Sequence, residues 1–136
     1  MSDAKALVAN YLHEVWNDGD AAACDRYIAA PYTIHHDPGD PWDGQSLSLD
    51  GFKDRLRTSR APFPDQRFTI DTMLEDGIKV AVAWRWEGTF LADLPGFPAT
   101  GKPVRTSGIT IYTTEGSRIT GHWQVTDRLS VVHQLR

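Results

Sequence analysis

The stretch Ile119-Thr120-Gly121-His122-Trp123-Gln124-Val125-Thr126-Asp127, near the end of a chain of 136 residues, alternates in character and ends in a carboxylate. Side chains on successive strand residues point to opposite faces. A regular strand therefore puts Ile119, Trp123, Val125 and Asp127 on one face, with Gly121 between them, and Thr120, His122, Gln124 and Thr126 on the other. A carboxylate sharing a face with a tryptophan and two aliphatics is either a costly buried charge or a tuned acid–base group. In this register His122 turns away from Asp127 towards a surface or an interface, and only a bulge would bring it inward.

Upstream of this strand the alternation continues. Strands are expected at about 66–75, 78–90, 103–114 and 117–127 or slightly beyond, with Asp76-Gly77 and Glu115-Gly116 as tight hairpin turns. Two prolines and two glycines make 93–102 a longer loop. The first half has a helical period instead. Leu7, Val8, Tyr11, Leu12 and Val15 form one face of a helix over about 3–17, and a second short helix is expected over 21–28 after Asp20. Pro31 leads into a strand Tyr32-Thr33-Ile34-His35-His36, followed by a loop from Asp37 to Gly44. Ser48 or Asp50 caps a third helix carrying Leu49, Phe52 and Leu56, which ends at Pro62. Helices first and an antiparallel meander second predict an α+β fold, with a curved antiparallel sheet wrapped around three N-terminal helices.

A chain of this length without internal repeats is read as one domain over 1–136. Its 40% apolar and 24% charged residues are ordinary for a globular protein, and its size allows a core with a small cavity. A net charge of −4 argues against nucleic acid as a partner. Arg55, Arg57 and Arg60 form the densest basic group, which helical spacing turns into a solvated face. Cys24 is the only cysteine, so no internal disulfide forms. No apolar run reaches membrane-spanning length and no basic-then-apolar leader opens the chain, so a cytoplasmic location without membrane contact is expected.

Several side chains carry both a functional and a structural reading. His35 and His36 end the first strand on opposite faces, so at most one looks into a pocket, and His36 is the better candidate. Val80, Val82, Trp84 and Trp86 share a strand face that suits a core or a dimer interface, and they carry the expectation of a homodimer. Arg85 and Glu87 share the other face with Ala81 and Ala83, which leaves either room for a ligand or a solvated surface. Trp16, Phe63 and Phe90, with Tyr32, Trp42, Phe52 and Phe97, supply aromatic surface for a core or the mouth of a site for a flat substrate. His35, His36 and Asp37 are too close in sequence to converge readily on one metal ion. No phosphate loop, nucleophilic-serine elbow or redox cysteine pair appears, so neither a metal nor an organic cofactor is expected.

Trp16-Asn17-Asp18-Gly19-Asp20, His36-Asp37-Pro38, Phe63-Pro64-Asp65, Gly88-Thr89-Phe90, Pro98-Ala99-Thr100-Gly101-Lys102, Gly108-Ile109, His122-Trp123 with Asp127, and Gln134-Leu135 together resemble the SnoaL-like polyketide cyclases of the nuclear-transport-factor-2-like superfamily. The resemblance implies a cone-shaped sheet curling around an internal pocket, and a dimer through the outer face of the sheet. It implies that Asp127 is the general acid–base of an intramolecular aldol closure, or a related isomerisation, on a hydrophobic carbonyl-bearing small molecule. His36 would assist, with Trp123, His122, His35, Arg85, Trp16, Phe63 and Phe90 about the substrate. Two positions depart from the family pattern: Ser130 stands where a glycine is usual, and Gly121 where an acidic residue often precedes the His-Trp pair. Two alternatives stay open: epoxide-hydrolase or hydroxylase chemistry in the same pocket, or a ligand-binding or assembly domain without catalysis.

Overall fold

The Ser2 side chain accepts a hydrogen bond from the Lys5 amide at 3.2 Å and opens helix α1, Asp3–Tyr11. The computed structural model describes residues 2–136. After Tyr11 the helix widens into a π-helical segment, Leu12–Asn17, which keeps Leu12, Val15 and Trp16 buried. Asp20 accepts from the amides of Ala22 and Ala23, starting a 3₁₀ turn, Ala21–Ala23, that leads into the short helix α2, Cys24–Tyr27. Ser48 caps helix α3, Leu49–Arg60, by accepting from the Gly51 amide at 3.0 Å. The expected second helix is thus shorter, because strand β1 already begins at Ile28 and runs to His36.

Six strands form one curved, unclosed sheet. They are β1 (Ile28–His36), β2 (Ser46–Leu47), β3 (Arg67–Asp76), β4 (Lys79–Thr89), β5 (Pro103–Glu115) and β6 (Arg118–Thr126), in the order β2-β1-β6-β5-β4-β3. All pairs are antiparallel except β1 with β6, which is parallel because the helices and β2–β5 separate them in sequence. Gly77 and Gly116 take positive φ in the two expected hairpin turns. The concave face packs on α1 and α3. Val80, Val82 and Trp84 lie there, fully or almost fully buried, in a core with Val8, Tyr11 and Phe52. The stripe from Val80 to Trp86 is therefore part of the core and its cavity wall, the first of its two readings, and is not the face on which a dimer could form. The convex face exposes other apolar side chains: Ile109 is 58% and Val125 63% exposed.

Strand β6 departs from regular alternation at one residue. Its pairing with β5 runs from Gly108↔Thr126 to Thr113↔Gly121, then slips to Thr114↔Ile119, leaving Thr120 as an extra residue. One inserted residue reverses the faces of everything beyond it. Ile119 and His122 consequently both point inward and are buried, whereas Val125 is on the outside. The pairing of β1 with β6 is also irregular, between Ile34 and His36. Gly121 lies in this contact, where a Cβ would sit 2.3 Å from the backbone oxygen of Thr33. Since backbone must move to admit a methyl group, Gly121→Ala should cost about 1–3 kcal/mol. Denaturant unfolding measures this, and an unchanged midpoint would contradict the close approach.

A fourth helix, α4 (Arg128–Gln134), follows where sequence periodicity extends the last strand. Asp127 caps it by accepting from the Ser130 amide at 3.1 Å. Its Val131, and Leu135 just beyond it, join Phe63, Phe90 and Val104 in a second small core that closes one end of the sheet.

Candidate active site

Between the concave face, α1, α3 and α4 lies a cavity of about 450 Å³. Tyr11, Trp16, Trp42, Phe63, Trp84 and Trp86 give it aromatic walls, and Asp40, Arg55, His122, Gln124, Thr126 and Arg128 supply its polar side. Behind that polar side sits Asp37, with no solvent exposure. The irregular end of β1 leaves both His35 and His36 exposed and turns Asp37 inward.

Four side chains converge on the Asp37 carboxylate. His122 Nε2 is 2.9 Å away, Arg128 Nη2 3.0 Å, Gln124 Nε2 3.3 Å and Arg55 Nη2 3.4 Å. Arg55 also donates to Asp40 at 2.9 Å, and Arg128 donates through Nε to the carbonyl of Pro38 at 2.7 Å. Burial by itself would raise the Asp37 pKa. The hydrogen bond from His122 and the positive charges around it outweigh burial and hold the carboxyl below its ordinary value. Burial lowers the pKa of His122, against the hydrogen bond to Asp37, so the imidazole rests neutral. An ionised Asp37 fixes the tautomer: Nε2–H donates to the carboxylate, and Nδ1 accepts from the Tyr32 hydroxyl at 2.6 Å. Tyr11, in the same core as Tyr32, accepts through its hydroxyl oxygen from Trp16 Nε1 at 2.7 Å. Burial raises the pKa of both tyrosines, which keeps them protonated. A hydrogen-bonded chain thus runs from Tyr32 through His122 to the Asp37 carboxylate, and His122 itself lines the cavity.

The sequence profile of the SnoaL-like polyketide cyclases matches residues 6–135. The chain belongs to that family. A provisionally assigned polyketide cyclase from Acidithiobacillus ferrooxidans is 50% identical, with a TM-score of 0.95 over 99% of this chain and 95% of that one. IdmH, a provisionally assigned polyketide cyclase from Streptomyces antibioticus, is 25% identical, with a TM-score of 0.82 over 98% of this chain and 99% of its own. AclR, a provisionally assigned hydroxylase from Streptomyces galilaeus, is 16% identical and shares the fold, with a TM-score of 0.81 over 99% and 96% of the two chains. No curated protein matches the sequence.

Among the residues that the sequence singles out, this SnoaL-like chain brings Trp16, Phe63 and His122 to the inner cavity. Asp127 is exposed and caps α4, in a groove of the convex face shared with His36, Trp123 and Val125. Trp123 and Val125 do lie beside its carboxylate, but on the open convex face, because the Thr120 bulge and the start of α4 turn this end of the chain outward. Its expected structural partners pair elsewhere: Arg85 binds Asp71 at 2.9 Å, and Arg105 binds Glu87 at 3.3 Å, all on the exposed face. Arg85 therefore points away from the cavity. His35 stacks on Trp123 outside, with ring centroids 4.1 Å apart. Phe90 is fully buried against Phe63 and is core, not cavity wall.

Arg55 corrects another expectation. It is only 5% exposed, and not part of a solvated basic face. Its place beside Phe52 and Leu56 on the buried stripe of α3 is the signal for that burial. Asp37, Asp40 and Arg128 are further cavity-side residues missed, the first two in a loop that periodicity does not resolve. Among the described residues, no group of three or more His, Cys, Asp or Glu side chains is placed to hold a metal ion. None of the helices is long and apolar enough to cross a membrane.

Proposed function

We propose that this SnoaL-like protein is a cyclase or isomerase that needs no cofactor and acts on a hydrophobic, carbonyl-bearing small molecule held in the inner cavity. The observation that carries the reading is the Tyr32–His122–Asp37 chain, which places a buried acid–base pair at the wall of an aromatic cavity. His122, in place of Asp127, is the acid–base. In the first step a C–H bond beside the substrate carbonyl breaks, and its proton passes to His122 Nδ1, from which the Tyr32 hydroxyl turns away. The products are an enolate and an imidazolium facing the Asp37 carboxylate at 2.9 Å. The enolate attacks a second carbonyl, and the proton returns along the same path to the new alkoxide. Tyr32 carries no charge at rest, which agrees with its raised pKa.

Exchange of α-protons with solvent reports the first half of this chemistry without requiring the natural substrate. Incubated with 2-tetralone in D₂O and followed by proton NMR, the protein should accelerate deuterium incorporation over buffer. Exchange no faster than with heat-unfolded protein would overturn the proposal.

A second part of the proposal concerns assembly. Ile109, Val125 and Leu129 are each more than half exposed, and the first two flank the groove that holds Trp123. An apolar convex face of this kind suits a homodimer through the outer sheet. Sedimentation should show a dimer at micromolar concentration, and a monomer throughout would contradict it.

A further inference from the structure

Two buried polar atoms of the cavity wall have no hydrogen-bond partner in the protein: Arg55 Nε and Thr126 Oγ1. Buried N–H and O–H groups are nearly always satisfied, so an orphaned pair within one cavity wall calls for an explanation. One end of Arg55 is committed. Its Nη2 serves Asp37 and Asp40, and its guanidinium carbon lies 5.4 Å from the centre of the Trp16 ring. This clamp fixes the guanidinium and leaves its Nε–H as a buried charged donor without a partner, beside an aromatic surface.

The charge balance limits what that donor can receive. Asp37 and Asp40 offset Arg55 and Arg128, and His122 is neutral at rest. A ligand bearing a full negative charge would meet no net opposite charge. A neutral carbonyl oxygen suits the donor, because it accepts a hydrogen bond and gains negative character on enolisation. The walls from Trp16 to Trp86 favour a flat ring system.

We infer that Arg55 Nε–H and the Thr126 hydroxyl are the polar anchors of the cavity, and that they receive the oxygen atoms of its neutral ligand. This rests on the reading of the inner cavity as the substrate site, but it concerns recognition and not proton transfer. Arg55 would be a positioning and polarising group at the carbonyl, on the same wall as His122.

A matched pair of probes tests it without turnover. 2-(Hydroxymethyl)anthraquinone and 2-(hydroxymethyl)anthracene share ring shape and charge and differ in two carbonyl groups. Binding is followed by quenching of the tryptophans, four of which (Trp16, Trp42, Trp84 and Trp86) line the cavity. The parent should prefer the quinone by about tenfold or more, the worth of one hydrogen bond from a charged donor. Arg55→Lys keeps a positive charge for Asp37 and Asp40 but has no Nε–H, and should bring the two affinities close together. Thr126→Val keeps the volume, removes the hydroxyl and should reduce the preference in part. The carbonyl stretch of bound quinone, by difference infrared spectroscopy, should lie lower in the parent than in either variant. If Arg55→Lys does not fold, Thr126→Val and the stretching frequency decide. Equal binding of both probes by the parent, or full preference in both variants, would overturn the anchor assignment alone. Binding of neither probe would overturn it together with the cavity as ligand site.

Discussion

Asp37→Asn should lower the unfolding free energy by about 3–5 kcal/mol, the usual cost of removing one partner from a buried charge cluster. The change keeps side-chain volume but leaves His122, Arg55, Arg128 and Gln124 facing an amide that cannot satisfy all four donors. The same cluster sets the dependence of stability on pH. The pKa of Asp37 is depressed in the folded protein, so its contribution is present above the unfolded-state value of about 3.9 and is lost as pH falls through the lower folded value. His122 is also depressed, and its contribution is complete above about 6.5 and shrinks as pH falls towards its folded value. Acidification should therefore destabilise the parent in two stages. His122→Gln should remove the upper stage and Asp37→Asn the lower. Thermal unfolding across pH 3–8 checks this, and a flat profile in the parent would contradict the assigned charge states.

The fold was legible because it rests on long-range period and turn chemistry. The switch from helical spacing around Tyr11 to alternation around Trp84, with glycines at 77 and 116, is enough to place helices against a meander. The site was much less legible, for a local reason. The face of every residue in β6 depends on one bulge at Thr120, and no residue type there announces it. Without the bulge His122 reads as a surface group and Asp127 as an inward carboxylate. A similar irregularity near His35 hides the inward turn of Asp37. Arg55 shows the limit of reading charge as exposure, because its partners Asp37 and Asp40 come from a loop 18 and 15 residues upstream that only tertiary structure brings to it. The aromatic residues Trp16 and Phe63 fared better, since a cavity wall and a core draw on the same apolar positions.

The second large effect is on catalysis. His122→Gln preserves an N–H donor for Asp37 and an acceptor for Tyr32 but removes the titrating imidazole. It should slow α-proton exchange by about 10²–10⁴-fold, the range that a positioned acid–base group contributes. Because His122 also holds the buried Asp37 carboxylate, circular dichroism and the unfolding midpoint must accompany the rate.

The account stands most directly on which side of the sheet the chemistry occurs. The deciding measurement is the 2-tetralone exchange rate of Asp127→Asn and His122→Gln, taken side by side with the parent under one set of conditions. Asparagine caps a helix about as well as aspartate, so Asp127→Asn should fold normally. The account predicts that Asp127→Asn exchanges like the parent while His122→Gln loses its acceleration. Loss of exchange in folded Asp127→Asn, with His122→Gln still active, would contradict it.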